Sequence, residues 1–315
     1  MTPTSAMNCE PVDDGGDNSD EVVCANCGKN GSDIVKLKSC TACRLVKYCG
    51  VDCQRAHRKQ HKKACKQRVA ELKDEKLYSQ GLERPEGDFC SICTLPIPMP
   101  MNEHSSFKPC CMKQICDGCS VAAQIMGMDD CPFCRAPISK NDADILALVK
   151  KRMDARDPAA FKCLGDQYFF GTMGLEKNVP RAIELWTEAA ELGSIEAHYR
   201  LGTLYFDGLG VTRHDNAKTR QYFEAAAMKG HVGARHNLGS HEFNNRNYKR
   251  AVRHWLISAK MGDEDSLDQI KHKFARGHAT KAQYTEALKG YQDAVEEMKS
   301  HDRDVAKAFQ LENRK

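Results

Sequence analysis

Leu164-Gly165-Asp166-Gln167-Tyr168 returns 37 residues later as Leu201-Gly202-Thr203-Leu204-Tyr205, a shared pattern of leucine, glycine, two variable residues and tyrosine. A third copy begins at Leu238-Gly239, with Phe243 one place later than the tyrosines. A fixed repeat of this length is typical of a solenoid, in which each helical unit packs only against its neighbours. The pattern therefore predicts a mainly α protein with a stack of helix pairs in its C-terminal half.

The remainder of each unit repeats as well. A pair of small residues followed by glycine occurs once per unit, and one large aromatic residue precedes each small pair. Small residues allow helices to approach closely, so we expect the aromatic residues to fill the core. The small-residue patterns are Ala189-Ala190-x-x-Gly193, Ala226-Ala227-x-x-Gly230 and Ser258-Ala259-x-x-Gly262, and the aromatic residues are Trp186, Phe223 and Trp255.

These residues resemble Sel1-like repeats, which are relatives of the tetratricopeptide family, over roughly residues 158–262. A degenerate fourth copy extends to about residue 298 through Ala287, Tyr291 and Ala294. The resemblance implies an α-solenoid over 158–298, whose concave face binds a protein partner.

The composition limits the compartment and the partners. The chain has 315 residues, 17 cysteines and a formal net charge of +4, which is close to neutral for this length. Residues 1–21 are polar and acidic without the apolar stretch of a signal peptide, and no apolar run is long enough to span a membrane. Closely paired cysteines in such a chain are metal ligands rather than disulfides. The sequence therefore predicts a cytoplasmic or nuclear protein without a membrane segment, and a disordered tail over 1–21.

The first cysteine block has the spacing C-x2-C-x12-C-x2-C-x5-C-x3-C-x7-H-x3-C. Zinc takes four ligands in a tetrahedral arrangement, so eight ligands make two sites. The Tyr48-Cys49 dipeptide and the final C-x7-H-x3-C resemble the MYND zinc finger. His57 is a rival of His61, because both lie on the helical face of Cys65; the family pattern favours His61. The predicted ligands are Cys24, Cys27, Cys40, Cys43, Cys49, Cys53, His61 and Cys65.

The MYND resemblance implies two interleaved sites and a partner. One ion would lie between Cys24, Cys27, Cys49 and Cys53, and the other between Cys40, Cys43, His61 and Cys65. Fingers of this kind dock short peptides, often proline-rich ones. The basic stretch that ends the block would instead contact nucleic acid through phosphates, but no interleaved aromatic residues support base stacking. Its cations are Arg55, Arg58, Lys59, Lys62, Lys63, Lys66 and Arg68.

The second cysteine block has the order C-x2-C-x16-C-C-x4-C-x2-C-x11-C-x2-C. It resembles a RING finger in which every ligand is cysteine. The adjacent pair Cys110-Cys111 leaves two possibilities open: both ligate one ion, which we favour, or His104 replaces one of them. The resemblance implies a cross-brace of Cys90, Cys93, Cys116 and Cys119 on one ion, with Cys110, Cys111, Cys131 and Cys134 on the other. Two blocks therefore predict about four Zn²⁺ ions per chain.

The RING resemblance also implies a contact surface for an E2 ubiquitin-conjugating enzyme. Family members place an aliphatic residue, a proline and a basic residue at fixed positions, which here are Ile92, Pro132 and Arg135. A RING contains no nucleophile and acts by holding the E2-bound ubiquitin in a reactive pose. A clear tryptophan is missing from the central helix, so Ile125, Met126 or Met128 would take its place. An alternative is that Ile92 and Pro132 only pack the zinc loops.

The sequence thus favours an E3-type adaptor that recruits an E2 through the RING and other proteins through the MYND finger and the solenoid. A scaffold without ligase activity and a regulator that binds nucleic acid through the basic finger are the alternatives. Cys9 and Cys163 are left over, Cys9 in the tail and Cys163 as a buried free thiol of a repeat helix. The expected divisions are 1–21 tail, 22–66 MYND finger, 67–87 charged helical linker, 88–138 RING-type finger, 139–157 connecting helix, 158–298 repeats and 299–315 charged C-terminal helix.

Overall fold

The computed structural model describes residues 23–139, 141–208 and 214–312. The predicted disordered tail over 1–21 lies outside the described residues. The chain divides into two compact units, Met1–Glu75 and Lys76–Lys315. Helix α1, Val51–Ser79, runs through this division. The end of the first cysteine block and most of the predicted linker therefore share one helix.

The first unit is built around cysteine side chains. Strands β1, Lys38–Ser39, and β2, Lys47–Tyr48, form a short antiparallel pair ahead of α1. The buried cluster consists of Cys24, Cys40, Cys43 and Tyr48. A core of three thiols and one ring buries little apolar surface, so a folded unit of this size needs another source of stability, such as a metal.

The second unit begins with a β-hairpin and a helix. Strands β3, Ser105–Lys108, and β4, Lys113–Cys116, pair antiparallel, with Ser105 opposite Cys116. Helix α2, Asp117–Ile125, follows β4 directly. Helix α3, Asp142–Asp154, leads from this small module to the repeats.

Helix pairs make up the rest of the second unit. The fold class predicted from the sequence is confirmed: the protein is mainly α, with a helix-pair solenoid after the cysteine-rich part. A last helix, α12, spans His301–Glu312. Within the described residues the four pairs are α4 Pro158–Phe170 with α5 Val179–Glu191, α6 Ile195–Asp207 with α7 Asn216–Ala227, α8 Val232–Asn244 with α9 Tyr248–Lys260, and α10 Glu264–Ala275 with α11 Lys281–Glu297.

One close contact recurs in the first three pairs. A glycine of the first helix faces an aromatic ring of the second, and a Cβ at that glycine would lie 2.4–2.6 Å from the ring atoms. The three rings are at most 1% exposed. Glycine is therefore required for the two helices to pack at this distance. This gives a physical reason for the leucine-glycine pair that recurs in each unit. The contacts are Gly165 with Trp186, Gly202 with Phe223, and Gly239 with Trp255.

Side-chain caps begin most of the solenoid helices. An oxygen or ring nitrogen of the residue before each helix accepts a hydrogen bond from a backbone N–H of the first turn. At α11 the cap is reciprocal, because Gln283 also accepts from the backbone N–H of Thr280. The capping residues are Asp157, Asn178, Ser194, Asp215, His231, Asp263 and Thr280.

Candidate functional site: four metal centres

Among the residues that the structure describes, sixteen side chains fall into four groups of potential metal ligands. In each group the four ligand atoms lie within 4.8 Å of one another. The grouping coincides with the interleaved pairing that the two family resemblances imply. The groups are Cys24, Cys27, Cys49 and Cys53; Cys40, Cys43, His61 and Cys65; Cys90, Cys93, Cys116 and Cys119; and Cys110, Cys111, Cys131 and Cys134.

Local backbone geometry prepares four of the C-x-x-C pairs as knuckles, those that end at Cys27, Cys43, Cys93 and Cys134. The residue after the second cysteine adopts a left-handed conformation, and its N–H donates to the carbonyl of the first cysteine. In the first knuckle this residue is Gly28, with φ of 72°. Arg44, Thr94 and Arg135 take the same place with φ of 58–61°, although a side chain is disfavoured there. Sequence reasoning did not identify this requirement; the glycine of the first knuckle was the available signal.

Helix α1 supplies three ligands to the first unit. Cys53 joins the first group, whereas His61 and Cys65 join the second, one helical turn apart. The Sγ of Cys43 lies 3.2 Å from Nε2 of His61, and that of Cys40 lies 3.9 Å from the Sγ of Cys65. Each knuckle of the finger thus meets ligands from α1: the first meets Cys53, and the second meets His61 and Cys65.

His57, the rival of His61, lies outside the second ligand group. Its Nδ1 is 3.1 Å from the hydroxyl of Tyr48, and its ring stacks on that of His61 with centroids 5.8 Å apart. The contact with Tyr48 occupies the ring nitrogen that faces the core. His57 is therefore placed to support the orientation of His61 rather than to take its position.

Both Cys110 and Cys111 belong to one ligand group of the second module. The Sγ of Cys110 lies 3.4 Å from that of Cys134, and the Sγ of Cys111 lies 3.9 Å from that of Cys131. His104, the alternative ligand, is exposed and ends a short turn before β3. The structure therefore brings the two adjacent cysteines together and leaves His104 aside.

The donor geometry fits zinc. Two thiolates about 2.3 Å from a common ion at the tetrahedral angle are ~3.8 Å apart. Six of the sulfur–sulfur distances within the groups are 3.4–3.9 Å, and all the ligand atoms of a group lie within 4.8 Å of one another. These distances are far longer than the bond of a disulfide, and all the described cysteines are free. Four sulfur or imidazole donors without an open position are typical of structural zinc.

Backbone donors and burial have opposite effects on these thiols. The backbone N–H of Cys27 is the largest of the causes that lower the pKa of Cys24 to about 6. Burial, followed by the neighbouring Cys43 and Cys40, raises the pKa of Cys65 to about 11. Each ligand group of the first unit contains both kinds of thiol. In the first group, the side chains of Cys53 and Cys27 raise the pKa of Cys49 to about 12. In the second group, burial is outweighed by hydrogen bonds, the backbone one at Cys43 foremost, so the pKa of Cys40 is lowered to about 6.

Apolar side chains are exposed around the metal groups of the second module. Ile92, between the first two cysteines, is 41% exposed, and Phe133 in the last knuckle is 44% exposed. At the end of α2, Ile125 and Met126 are 64% and 69% exposed. Among the other predicted contact residues, Pro132 is half-buried, and exposed Arg135 donates from Nη1 to the Sδ of Met128. Where exposed apolar side chains form one contiguous patch, they are a feature of protein-binding surfaces.

The opposite side of α1 from its metal ligands is basic. At about 100° per residue, five of the cations from Arg55 to Lys66 fall on the side of the helix that faces away from Cys53, His61 and Cys65, whereas Arg58 lies about 20° from Cys65. All six are exposed, whereas Arg68 is half-buried and pairs with Glu71 and Glu75 at 3.1 and 2.6 Å. We call this surface the basic stripe; it comprises Arg55, Lys59, Lys62, Lys63 and Lys66.

Two families of known proteins match parts of the chain. The MYND finger matches residues 24–65, and the Sel1 repeat matches residues 164–194, 195–231 and 236–263. The chain carries a MYND finger and Sel1 repeats. Both resemblances predicted from the sequence are thereby confirmed, as is zinc as the cofactor, since the MYND finger is a zinc module and its donor set is in place.

Two curated relatives match about a third of the chain. Protein SHC1 of Saccharomyces cerevisiae is 38% identical over 103 residues, which are 33% of this chain and 19% of that protein. HRD3B of Arabidopsis thaliana, an ERAD-associated E3 ubiquitin-protein ligase component, is 30% identical over 107 residues, 34% of this chain and 17% of that protein. The chain thus spans less than a fifth of the length of either relative.

Solved structures with the same kind of repeat are more distant. The Sel1 repeat protein from Oxalobacter formigenes is 24% identical and aligns with a TM-score of 0.45 over 50% of this chain and 66% of that one. The protective antigen c5321 of uropathogenic Escherichia coli is 19% identical, with a TM-score of 0.44 over 56% and 37% of the two chains. None of the described helices is both long and apolar enough to cross a membrane.

Proposed function

We propose that the sixteen side chains hold four zinc ions and that the second module is a RING-type finger of an E3 ubiquitin-protein ligase. The crossed order of its ligands carries this proposal. Cys110 and Cys111 stand in the sequence between the two halves of one ligand group, yet they group with Cys131 and Cys134. Cys110 and Cys111 lie in the turn of the β3–β4 hairpin, whereas Cys116 ends β4 and Cys119 lies in α2. This is the cross-brace arrangement that the RING resemblance implies.

The exposed residues of the module support a contact with an E2 enzyme. Ile92 and Pro132 would form the apolar part of that contact, and the guanidinium of Arg135 would donate to the E2 and to ubiquitin. Ile125 and Met126 at the end of α2 would stand where many RING fingers have tryptophan. Catalysis would then consist of positioning the thioester, so no nucleophile of this chain takes part.

The MYND finger and the solenoid would recruit the proteins to be modified. Stacked helical repeats form an extended concave surface, which repeat proteins use for binding. One relative is by name a component of an E3 ubiquitin-protein ligase. We assign the finger to a short, proline-rich peptide and the whole chain to the cytoplasm or nucleus. In this proposal each of the three modules binds a protein: the RING-type finger binds an E2, the MYND finger a peptide and the solenoid a protein to be modified.

Ubiquitin transfer tests the ligase proposal. The zinc-loaded chain is incubated with ubiquitin, E1, ATP and a panel of E2 enzymes, and chain formation is followed on gels. We expect transfer with at least one E2, and a loss of about 10-fold or more with Ile92→Ala or Arg135→Gly, because each removes a contact at the centre of the interface.

The choice of glycine at position 135 is deliberate. Arg135 has φ of 61°, so glycine removes the guanidinium without adding backbone strain. Ile34→Ala, at a residue that is 94% exposed in the first unit, is the matched control. If no E2 supports transfer while zinc content is intact, or if the Ile34 variant loses as much activity, the ligase proposal is wrong and the scaffold without ligase activity takes its place.

The basic stripe favours a second candidate function, the binding of nucleic acid. Five exposed cations on one side of α1 would neutralise phosphates and give binding that weakens with salt. This alternative predicts that Lys62→Glu together with Lys63→Glu abolishes the retention of an oligonucleotide at low salt. Retention that the double variant leaves unchanged contradicts it.

A further inference from the structure

The C-terminal helix lies against the second cysteine module. Helix α12 packs on α2, although more than 170 residues separate them in the sequence. The two helices approach closely at Gly118, where a Cβ would lie 2.8 Å from the backbone nitrogen of Arg303. Glycine at this position of α2 therefore allows α12 to reach the module.

Arg303 of α12 donates to the loop that carries the first two cysteines of this module. Its Nη1 lies 2.7 Å from the carbonyl oxygen of Pro96, and its Nη2 lies 3.3 Å from that of Leu95. The same Nη2 is 3.8 Å from the Sγ of Cys93, one of the proposed ligands. One guanidinium thus contacts both the backbone and a ligand atom of the loop.

A second arginine completes the contact. Arg84, whose side chain is 5% exposed, donates from Nη1 to the carbonyl of Ile97 at 2.6 Å and from Nε to Asp88 at 3.2 Å. Three consecutive carbonyls, Leu95 to Ile97, therefore accept hydrogen bonds from two arginines. Without these donors the carbonyl of Leu95 would keep only the hydrogen bond from the N–H of Cys90, and those of Pro96 and Ile97 would need other donors such as water.

Both arginines also contact Met298, directly after α11. Arg303 donates from Nη1 to the Met298 carbonyl at 2.5 Å, and Nη1 of Arg84 lies 3.9 Å from its sulfur. The methyl group of Met298 occupies the space beside Gly262, between α9 and α10, where a Cβ would lie 2.3 Å from it. A continuous set of contacts therefore connects the zinc loop to the end of the solenoid.

We propose that Arg303 is a positioning residue that holds the loop Cys90–Ile97 and its metal group against the end of the solenoid. A zinc ion with four thiolates carries a net negative charge, and a guanidinium near one sulfur offsets part of it. Ile92 lies on the same loop, so Arg303 would also set the orientation of the proposed E2 contact. This last step rests on the ligase proposal, whereas the effect on the loop and its zinc does not.

The test compares the zinc-loaded full chain with Arg303→Gln, Arg303→Lys and the control Lys307→Gln, an exposed residue of the same helix. Zinc transfer to a chromogenic chelator and amide deuterium exchange are measured. We expect Arg303→Gln to speed the release of one of the four ions by about 10-fold or more. Exchange in residues 90–97 should rise while exchange in the MYND finger, residues 24–65, stays as in the wild type.

Arg303→Lys distinguishes the effect of the positive charge at position 303 from the effect of the shape of the guanidinium. Lysine keeps the positive charge near Cys93, but its single nitrogen lacks the planar fork with which the two terminal nitrogens of arginine reach the carbonyls of Leu95 and Pro96. We therefore expect an intermediate rate of zinc release with loop exchange as fast as in the glutamine variant. The lysine variant is also the one to measure if the glutamine variant does not fold. Release and exchange equal to those of Lys307→Gln in both Arg303 variants would overturn the proposal.

Binding to the E2 is measured separately. If the wild type binds an E2, we expect Arg303→Gln to weaken that binding by about 2- to 30-fold at a temperature where its helical circular dichroism is unchanged. If Arg303→Gln releases zinc faster but binds the E2 with unchanged affinity, Arg303 holds only the loop and its metal group, and its proposed role in orienting the E2 contact is wrong. If the wild type binds no E2, the ligase proposal fails while zinc release still decides the role of Arg303.

Discussion

His61→Ala is expected to lower the zinc content from about four ions per chain to about two, because the loss of one site unfolds the MYND finger and with it the interleaved second site. Its Nε2 is one of only four donors of its group, and a structural zinc site contributes about 10–16 kcal/mol to the folding of a small finger. The buried core of this unit is otherwise three thiols and Tyr48. Elemental analysis gives the zinc content, and amide exchange over residues 24–65 reports the unfolding.

His57→Ala is the matched control for this prediction. His57 lies on the same helix, four residues away, and bonds to Tyr48 rather than joining the ligand group. We expect its replacement to retain all the zinc and to lower stability by about 1 kcal/mol through the lost hydrogen bond. Loss of zinc in His57→Ala with retention in His61→Ala would show that the ligand assignment is wrong.

Trp255→Ala is expected to lower the free energy of unfolding of the solenoid by about 3–5 kcal/mol, because it removes a large buried side chain and leaves a cavity. Trp255 is 1% exposed and lies in the cluster that joins the third and fourth helix pairs. Neighbouring units stabilise one another in a solenoid, so the loss should extend beyond the third pair. Urea unfolding followed by far-ultraviolet circular dichroism measures the change.

Gly239→Ala examines the same contact from the other helix. The new Cβ would lie 2.5 Å from the ring of Trp255, and overpacking of this kind costs about 1–3 kcal/mol, against a gain of up to ~1 kcal/mol in helix propensity. We expect a net loss of stability. Gly87→Ala, with no atom within 4 Å of the added Cβ, should change stability by less than about 0.5 kcal/mol. Equal stability of the two variants would mean that the helices do not require glycine at position 239.

Much of the metal chemistry follows from short spacings. A C-x-x-C pair forms a knuckle from its own few residues, so Cys24 with Cys27 and Cys90 with Cys93 could be predicted as pairs before any fold was known. The joining of pairs across each block came from the family resemblances. The structure brings the same sets together, and it places Cys111 and His61 within them and His104 and His57 outside. The RING assignment and the E2 contacts stay predictions.

The solenoid could also be predicted from the sequence, because each of its helices packs mainly against helices that are close to it in the sequence. The glycine of one helix and the aromatic residue of the next recur together, 21 residues apart in the first two units and 16 in the third, so the repeat itself encodes the contact. Local caps and helix-ending glycines add the boundaries of each helix.

By itself, the sequence determined the modules of this protein: a MYND finger, a second cysteine module and Sel1 repeats, all of which depend on local spacing and periodicity. Only the tertiary structure decided that α12 returns to α2 and that Arg84 and Arg303 donate to three carbonyls of one zinc loop. Arg303 and Cys93 are 210 residues apart, and a contact between a guanidinium and backbone carbonyls requires no particular residue on the accepting side. Such a contact depends on the shape of the folded chain, so no pattern in the sequence could predict it.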